Sequence, residues 1–224
     1  MKESKYFYAL IGPSGTGKSP FIKSISEIIS NKKINTNFLM YTSRNKRINE
    51  IDGLDYYFKN EEYIKTLDSD IYTKANVHGN LQAIGIKDID NCFDSCNIII
   101  KDLHYLLIND LKDKCIAVSD YDIKFKKIFF SPRELNSIHE VIKLDYDPVV
   151  FSNIYARNGD EKNALVRAKN AISEYEFIGS CDYFIHSKTP EWKYLINQKL
   201  MSSQKCAENY SSEIKQFIDI MEKN

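Results

Sequence analysis

The fold is decided by Gly12-Pro13-Ser14-Gly15-Thr16-Gly17-Lys18-Ser19, which matches the pattern G-x-x-x-x-G-K-[ST] without a mismatch. The apolar run before it, Tyr6 to Ile11, predicts a buried strand. The residues after it, from Phe21 to Ile29, place apolar side chains at helical spacing. A strand, a glycine-rich turn and a helix in this order are the context in which the motif binds a polyphosphate.

The chemistry of residues 12–19 is that of a nucleotide-binding loop. Its glycines let the backbone curl so that successive amides point inward, and the start of the helix adds positive partial charge. We expect Lys18 to reach the β- and γ-phosphates of ATP and to act in catalysis, and the Ser19 hydroxyl to bind Mg²⁺. An accidental glycine-rich turn is the alternative, and the flanking strand and helix disfavour it. The predicted nucleotide-binding residues are Gly12, Ser14, Gly15, Thr16, Gly17, Lys18 and Ser19.

Pro20 departs from the chemistry of such a loop. The amide after the hydroxyl residue often donates to the α-phosphate, and proline has no N–H to donate. A lost hydrogen bond to a charged group costs about 1.5–3 kcal/mol. We therefore expect weakened nucleotide binding rather than its abolition.

The composition argues against several classes of protein. The length of 224 residues favours one domain, and 31 basic residues balance 31 acidic ones. Zero net charge removes the overall argument for binding nucleic acid or an anionic membrane. No apolar stretch approaches the roughly 18 residues that span a bilayer, and the start of the chain lacks the order of a signal peptide. Five cysteines do not indicate a disulfide framework, so we expect a cytoplasmic protein with reduced thiols.

Apolar runs and helical periodicities alternate along the rest of the chain. This alternation predicts an α/β fold with a mostly parallel sheet. The segment 145–160 lacks periodicity and predicts a loop or lid. Further strands are predicted at 38–42, 55–58, 71–77, 81–84, 97–100, 127–130 and 183–186. Further helices are predicted at 60–67, 103–111, 164–178, 192–201 and 210–221.

A second informative stretch contains two arginines. Arg44 and Arg47 lie three residues apart, and Tyr56 follows closely. Guanidinium groups bind phosphate bidentately, so these residues form a fork for a phosphate monoester. Without other support, a solvated surface pair is the more common arrangement.

Combined with the loop upstream, this stretch resembles the guanylate kinase family. The segment 42–56 is similar to the family pattern T-T-R-x-P-R-x-G-E-x-D-G-x-D-Y, and Ala75 to Asn80 is similar to A-x-V-H-G-N. The resemblance extends, more weakly, to about Ser187. It implies a P-loop kinase fold, a mostly parallel sheet flanked by helices, with a small inserted acceptor lobe and a lid. The implied single domain has its core at about 1–35, 97–150 and 165–224, its acceptor lobe at 36–96 and its lid at 151–164.

The resemblance also implies roles for individual residues. Arg44, Arg47 and Tyr56 fall on positions that hold the phosphate of the acceptor GMP, and Glu50 on one that orders the arginines. Asp102 resembles an acidic residue near Mg²⁺ and the acceptor. Arg157 and Arg167 resemble a pair that closes over the transferring phosphoryl group, with surface charge as the alternative for both.

The departures from the family pattern concern the residues that read guanine. Met40 replaces a serine, Thr73 replaces a glutamate, and Ile84 replaces a small hydroxyl residue. Gln82 replaces a tyrosine that shares the acceptor phosphate, and Ile100 replaces an aspartate. The phosphate half of the acceptor site is thus kept and the base-reading half largely replaced, which predicts weak discrimination between bases.

The reaction implied by the resemblance is phosphoryl transfer from ATP to a nucleoside monophosphate, with GMP as the leading acceptor and Mg²⁺ as the cofactor. A kinase of the same fold that acts on another phosphorylated acceptor is the first alternative. A non-catalytic interaction module is the second, and the intact Gly17-Lys18-Ser19 disfavours it. The expected partners are the nucleotide donor and a small phosphorylated acceptor, without nucleic acid or membrane, for a monomer or homodimer.

Overall fold

A computed structural model describes residues 2–29, 33–47, 50–188, 195–196, 199–200 and 210–223. Its strands are β1 (Ser4–Ile11), β2 (Ile34–Asn35), β3 (Tyr41–Thr42), β4 (Tyr57–Phe58), β5 (Tyr72–Val77), β6 (Asn80–Gly85), β7 (Ile98–Asp102), β8 (Asp122–Ser131), β9 (Tyr183–His186), β10 (Leu195–Ile196) and β11 (Lys199–Leu200). Its helices are α1 (Lys18–Ile28), α2 (Glu61–Thr66), α3 (Ile86–Phe93), α4 (Tyr105–Val118), α5 (Ile138–Val141), α6 (Pro148–Asn158), α7 (Glu161–Glu176) and α8 (Ser211–Glu222).

The principal sheet has five strands in the order β2-β7-β1-β8-β9. The pairs β2–β7 and β8–β9 are parallel, and helices connect successive strands along the chain. This arrangement confirms the predicted α/β fold with a mostly parallel sheet. A second sheet has four strands in the order β4-β3-β6-β5, and β10 pairs with β11.

The chain divides into two compact units. One comprises Met1–Ala9 and Asn31–Phe125, and the other comprises Leu10–Ser30 and Lys126–Asn224. In the first unit, the Phe7 ring stacks on that of Phe125, with ring centroids 4.8 Å apart. In the second unit, the fully buried ring of Phe21 packs against other aromatic rings of that unit. These are the rings of Phe130, Tyr210 and Phe217.

The hairpin of β5 and β6 is confirmed where the sequence predicts it. His78 and Gly79 both have positive φ, at 53° and 81°, as the tight turns of two-residue hairpins require. The Asn76 side chain accepts a hydrogen bond from the Gly79 amide at 3.0 Å and fixes the turn. Because side chains alternate across a strand, this register places Thr73, Ala75, Gln82 and Ile84 on one face of the sheet.

The prediction of a loop over 145–160 is wrong, because most of this segment forms α6. Asp147 caps the helix by accepting from the amides of Val149 and Val150, and Pro148 occupies the first turn. Gly159, with φ at 67°, ends the helix in the left-handed conformation. These end signals outweigh the weak periodicity between them. The predicted lid, 151–164, thus falls on two helices, and its movement stays a prediction.

Other elements differ from the sequence prediction in their extent. The helix α3 was not predicted, and β8 begins at Asp122, five residues earlier than expected. β3 and β4 are shorter than the runs at 38–42 and 55–58, because only two residues of each run pair in the sheet. The helix predicted at 192–201 is wrong for 195–196 and 199–200, which pair as strands, and its other residues lie outside the described ones. Within the part of the chain that the structure describes, no helix has the length and apolar character needed to cross a bilayer.

Candidate active site

The segment 12–19, called the phosphate loop below, depends on glycine for its course. Gly12, Gly15 and Gly17 have φ values of 132°, 73° and 95°, which side chains disfavour. A Cβ on Gly12 would lie 2.3 Å from the backbone oxygen of Phe130, and one on Gly15 would lie 2.8 Å from Cδ1 of Ile154. The loop is therefore held against the backbone of β8 at a distance that only glycine allows at position 12, whereas at position 15 the Ile154 side chain would have to move.

Lys18 turns its ammonium group back into the phosphate loop. Its Nζ donates to the carbonyl oxygens of Gly12 at 2.5 Å and Pro13 at 2.7 Å, and the residue is buried. The Thr16 hydroxyl donates to the Pro13 oxygen at 2.9 Å and fixes the same turn. The curl of the backbone thus surrounds a positive charge, which is the arrangement that a polyphosphate requires.

The start of α1 explains how the fold tolerates Pro20. Gly17 is the N-cap, so Pro20 lies in the first turn, where an amide has no partner within the helix. The helix therefore loses nothing by having proline there, and only a ligand would lose a donor. The Tyr210 hydroxyl, fully buried, donates to the Gly17 oxygen at 3.0 Å and ties the chain just before α8 to this turn. No pattern in the sequence assigns Tyr210 this role.

Arg167 reaches the phosphate loop from α7. Its Nη1 donates to the Ser14 hydroxyl at 2.8 Å, and its Nε donates to Asn163 Oδ1, one turn earlier, at 2.9 Å. Arg167 therefore lies at the phosphate loop, and its closing over a transferring phosphoryl group stays a prediction. Arg157 lies in the last turn of α6, four residues after Asn153. Asn153 borders Gly15, and residues four apart share a helical face, so Arg157 lies on the α6 face that meets the loop.

The amides, the ammonium and the hydroxyl of this region suit a nucleoside triphosphate together with its Mg²⁺ ion. Gly12 and Gly15 both have positive φ, which lets the backbone curl as a ligand that binds amides requires. Lys18 supplies the fixed charge inside it. Ser19 is exposed, so its hydroxyl is accessible to Mg²⁺, a cation that prefers oxygen ligands.

A second group of charged residues lies in the other unit and is called the arginine clamp below. Arg44 forms two parallel hydrogen bonds to Glu50, each at 2.6 Å, with both side chains mostly buried. The Glu50 carboxylate also accepts from the Arg47 amide at 2.9 Å, and the Arg47 guanidinium lies 3.6 Å away with 55% of its side chain exposed. Burial alone would raise the pKa of Glu50, but these bonds outweigh it and lower the pKa. Glu50 is thus the anion that orders both arginines.

Tyr56 is the aromatic neighbour of the clamp. The Arg44 guanidinium carbon lies 5.0 Å from the centroid of its ring, and the Lys101 ammonium lies 5.6 Å from the same centroid. Burial raises the pKa of the Tyr56 phenol, and the negative charge of Asp102 raises it further. The phenol is therefore neutral at pH 7 and can donate a hydrogen bond to an anion. The structure thus brings Arg44, Tyr56 and Asp102 into one group, and their binding of an acceptor stays a prediction.

The base side, defined as Met40, Thr73 and Ile84, offers few polar groups. Thr73 pairs with Ile84 across the hairpin, and both residues are fully buried. The Thr73 hydroxyl oxygen is buried without a hydrogen-bond partner among the described residues. Met40 is buried as well, and its backbone oxygen accepts from the Tyr57 amide. The side chains expected to have lost guanine-reading chemistry are therefore mostly apolar and enclosed.

Sequence reasoning missed one residue near the clamp. Lys101 stands at the carboxyl end of β7, directly before Asp102. Burial lowers the pKa of its ammonium group to about 8, and Asp102 and Asp55 partly oppose this effect. The signal was present in the sequence as a lysine at the end of a strongly apolar run, Ile98 to Ile100. Lys101 directly follows the predicted strand at 97–100, and the sequence alone assigns it no role in binding.

Comparisons with known proteins agree with this geometry. The family model "Guanylate kinase" matches residues 4–148. A guanylate kinase of Geobacter metallireducens is 29% identical over 116 residues, covering 51% of this chain and 56% of that protein. The chain therefore spans little more than half of that relative. A guanylate kinase of Bartonella henselae is 25% identical over 183 residues, covering 80% of this chain and 72% of that protein.

A solved structure shows the same fold. The crystal structure of guanylate kinase from Anaplasma phagocytophilum matches with a TM-score of 0.55 and 16% sequence identity. The match covers 96% of this chain and 87% of that one. At this identity the likeness concerns the arrangement of the backbone alone.

Proposed function

Because the chain belongs to the guanylate kinase family, we propose that it transfers a phosphoryl group from ATP to a nucleoside monophosphate, with GMP as the leading acceptor. The observation that carries the proposal is the folded phosphate loop, whose curl encloses the Lys18 ammonium. A module without catalytic activity would have no need for a buried lysine inside a loop that only glycine can form.

On the donor side, the phosphate loop binds the β- and γ-phosphates through its amides and Lys18. The Ser19 hydroxyl would hold Mg²⁺, which would supply positive charge to neutralise these phosphates. Arg167, positioned by Asn163 and joined to Ser14, places a guanidinium at the loop, where negative charge spreads during the transfer. Arg157 acts beside it from the end of α6.

On the acceptor side, Arg44 and Tyr56 hold the phosphate of the monophosphate. Glu50 fixes the guanidinium plane of Arg44, so that little conformational entropy is lost when the phosphate binds. Arg47 is the more exposed of the two arginines, and its guanidinium moves from solvent onto the bound phosphate. Such a clamp recognises a phosphate monoester without reading what is attached to it.

A second acceptor is favoured by one observation, the apolar base side. Thr73 offers one hydroxyl where guanine presents an N–H and an amino group, and Ile84 offers none. A different nucleoside monophosphate, or a sugar phosphate, therefore remains the second candidate acceptor. The phosphate chemistry is the same for each of them.

Identification of the products tests the proposal directly. Incubation of the purified protein with ATP, Mg²⁺ and GMP should form ADP and GDP in equal amounts, separated by ion-exchange chromatography. Omitting GMP should leave ATP intact, and omitting Mg²⁺ should stop the reaction. ADP formed without GDP would show an ATPase. No ADP with any monophosphate or sugar phosphate would exclude a kinase.

A further inference from the structure

Lys101 lies beside the same aromatic ring as the main arginine of the clamp. The Arg44 guanidinium carbon and the Lys101 ammonium are 5.0 and 5.6 Å from the centroid of the Tyr56 ring. The three residues come from distant parts of one unit: the segment after β3, the segment before β4, and the end of β7. A ligand bound at the Tyr56 phenol would have both cations as neighbours.

The surroundings of the Lys101 ammonium disfavour its positive charge. Burial lowers the pKa of Lys101 to about 8, although Asp102 and Asp55 attract its charge from a distance. Within the described part of the chain, its ammonium forms no hydrogen bond and no ion pair, and its contact is with the Tyr56 ring. A desolvated cation that touches no anion costs stability. An apolar residue at position 101 would continue the run of Ile98 to Ile100 in β7 and would avoid this cost in stability.

The charges around Tyr56 depend on Lys101 for their balance. Three carboxylates act on Tyr56 or Lys101, those of Glu50, Asp55 and Asp102. Arg44 and Arg47 alone leave this group one charge negative, which would repel a phosphate dianion. Lys101 brings the group to neutrality, and its ammonium is the cation here that no carboxylate of the described residues contacts. It is therefore the cation best placed to contact a phosphate.

We propose that Lys101 binds the phosphate of the acceptor together with Arg44 and Tyr56, and so supplies a contact that Gln82 does not provide. This inference rests on the proposed function, since it assigns a further residue to the same acceptor site. The resemblance places at Gln82 a tyrosine that shares the acceptor phosphate. An ammonium beside Tyr56 replaces a neutral hydrogen-bond donor by a charged one, and charged hydrogen bonds are about twice as strong.

The test compares Lys101→Met with Lys101→Arg and with a matched control, Lys124→Met. Methionine keeps the length of the side chain and removes its charge. Lys124 lies in the same unit, on β8, where its ammonium pairs with Asp122 on the surface. For Lys101→Met we expect the KM for GMP to rise at least tenfold with kcat within about threefold. Lys101→Arg should recover much of the lost affinity, and Lys124→Met should match the wild type.

Thermal unfolding separates this role from a structural one. Removal of a partly buried charge that forms no ion pair with the described residues should leave Lys101→Met at least as stable as the wild type, whereas loss of a structural contact would lower its Tm. A less stable variant whose KM for GMP is unchanged would overturn the inference. Unchanged KM and unchanged Tm would overturn it equally.

Inorganic phosphate distinguishes failure of the inference from failure of the proposed function. Phosphate at millimolar concentration should raise the Tm of the wild type more than that of Lys101→Met, whether or not GMP is a substrate. If no acceptor is phosphorylated but this difference appears, the proposed function fails and the phosphate contact stands. If GMP is phosphorylated but both proteins respond equally to phosphate, the function stands and the inference is wrong.

Discussion

The phosphate loop and the proposed acceptor site are built by different means for the same chemical group. The loop relies on backbone amides, and its shape is fixed by Gly12 and Gly15, where a single added carbon would collide with β8 or α6. The acceptor site relies on side chains from separate segments, above all Arg44, Glu50 and Tyr56. A site made of backbone amides depends on the conformation of one short stretch. A site made of side chains can lose or gain a binding group by the substitution of a single residue.

The difference explains why one region matches its motif and the other does not. In the loop, nearly every position is constrained by conformation, and Pro20 is tolerated because the first turn of α1 needs no amide there. In the proposed acceptor site, the clamp would hold a phosphate whatever is attached to it. Thr73 and Ile84 fill buried positions with side chains that suit a sheet but carry few partners for a base.

The largest effect is expected for Lys18→Ala. Loss of the charge inside the loop should reduce kcat/KM for ATP at least 1,000-fold, about 4 kcal/mol, because the phosphates would lose their main cation. Lys23→Ala, on the same helix and partly exposed, is the matched control and should retain wild-type activity. Circular dichroism should show that both variants are folded. Activity of Lys18→Ala within tenfold of the wild type would remove this lysine from the mechanism.

Gly12→Ala should distort the conformation of the phosphate loop. Its Cβ would lie 2.3 Å from a backbone oxygen, so the loop or β8 must move, and we expect a loss of about 3 kcal/mol of unfolding free energy. Gly53→Ala is the matched control in the acceptor region, since Gly53 also has positive φ but no atom within 4 Å of an added Cβ. It should lose only about 1 kcal/mol in urea unfolding. Equal losses would show that the loop is not held by close contact.

Arg44→Ala should weaken every acceptor by a similar factor. The guanidinium contacts only the phosphate in the proposed site, so we expect kcat/KM to fall about 100-fold for each monophosphate. Lys46→Ala, a change of the same charge at an exposed position in the same loop, should have little effect. A much larger loss for GMP than for other monophosphates would show that Arg44 also reads the base.

A smaller effect, on stability, is expected where α6 begins. Burial alone would raise the pKa of Asp147, but hydrogen bonds from Arg133 and Tyr175 outweigh it and hold the pKa below its ordinary value. The charge therefore stabilises the fold above about pH 4, the unfolded pKa, and this contribution is lost as the pH falls through the folded pKa. Asp147→Asn, which keeps a capping side chain, should lose about 2 kcal/mol at pH 7. The difference from the wild type should shrink at pH 3; a constant difference would exclude the charge as its cause.

The sequence predicted those parts of the molecule whose signals are local. The phosphate loop, the turn at His78 and Gly79, and the start of α2 near residue 60 each depend on residues within a few positions of one another. The helix α6 was missed although Asp147, Pro148 and Gly159 mark both of its ends, because its apolar residues follow no clear period. The residues at its two ends therefore predict this helix better than the residues of its interior.

The parts of the candidate site that were not predicted depend on contacts between distant segments. Tyr210 bonds to Gly17 across 193 positions, and Lys101 meets Tyr56 only because β7 ends beside the clamp. Arg167 was predicted through the resemblance, but its bond to Ser14 could not be derived from spacing. Such contacts are set by the sheet order, which no local pattern specifies.

The central claim is that the acceptor site keeps phosphate recognition and has lost most recognition of the base. Steady-state kcat/KM for GMP, dGMP, AMP, CMP and UMP at saturating ATP and Mg²⁺ tests it most directly. Because Met40, Thr73 and Ile84 leave polar edges of guanine without partners, we expect slow use of GMP and a preference over the other monophosphates of less than about 100-fold. A preference for GMP above 10,000-fold at ordinary kinase rates would contradict the claim, and would mean that other residues read the base.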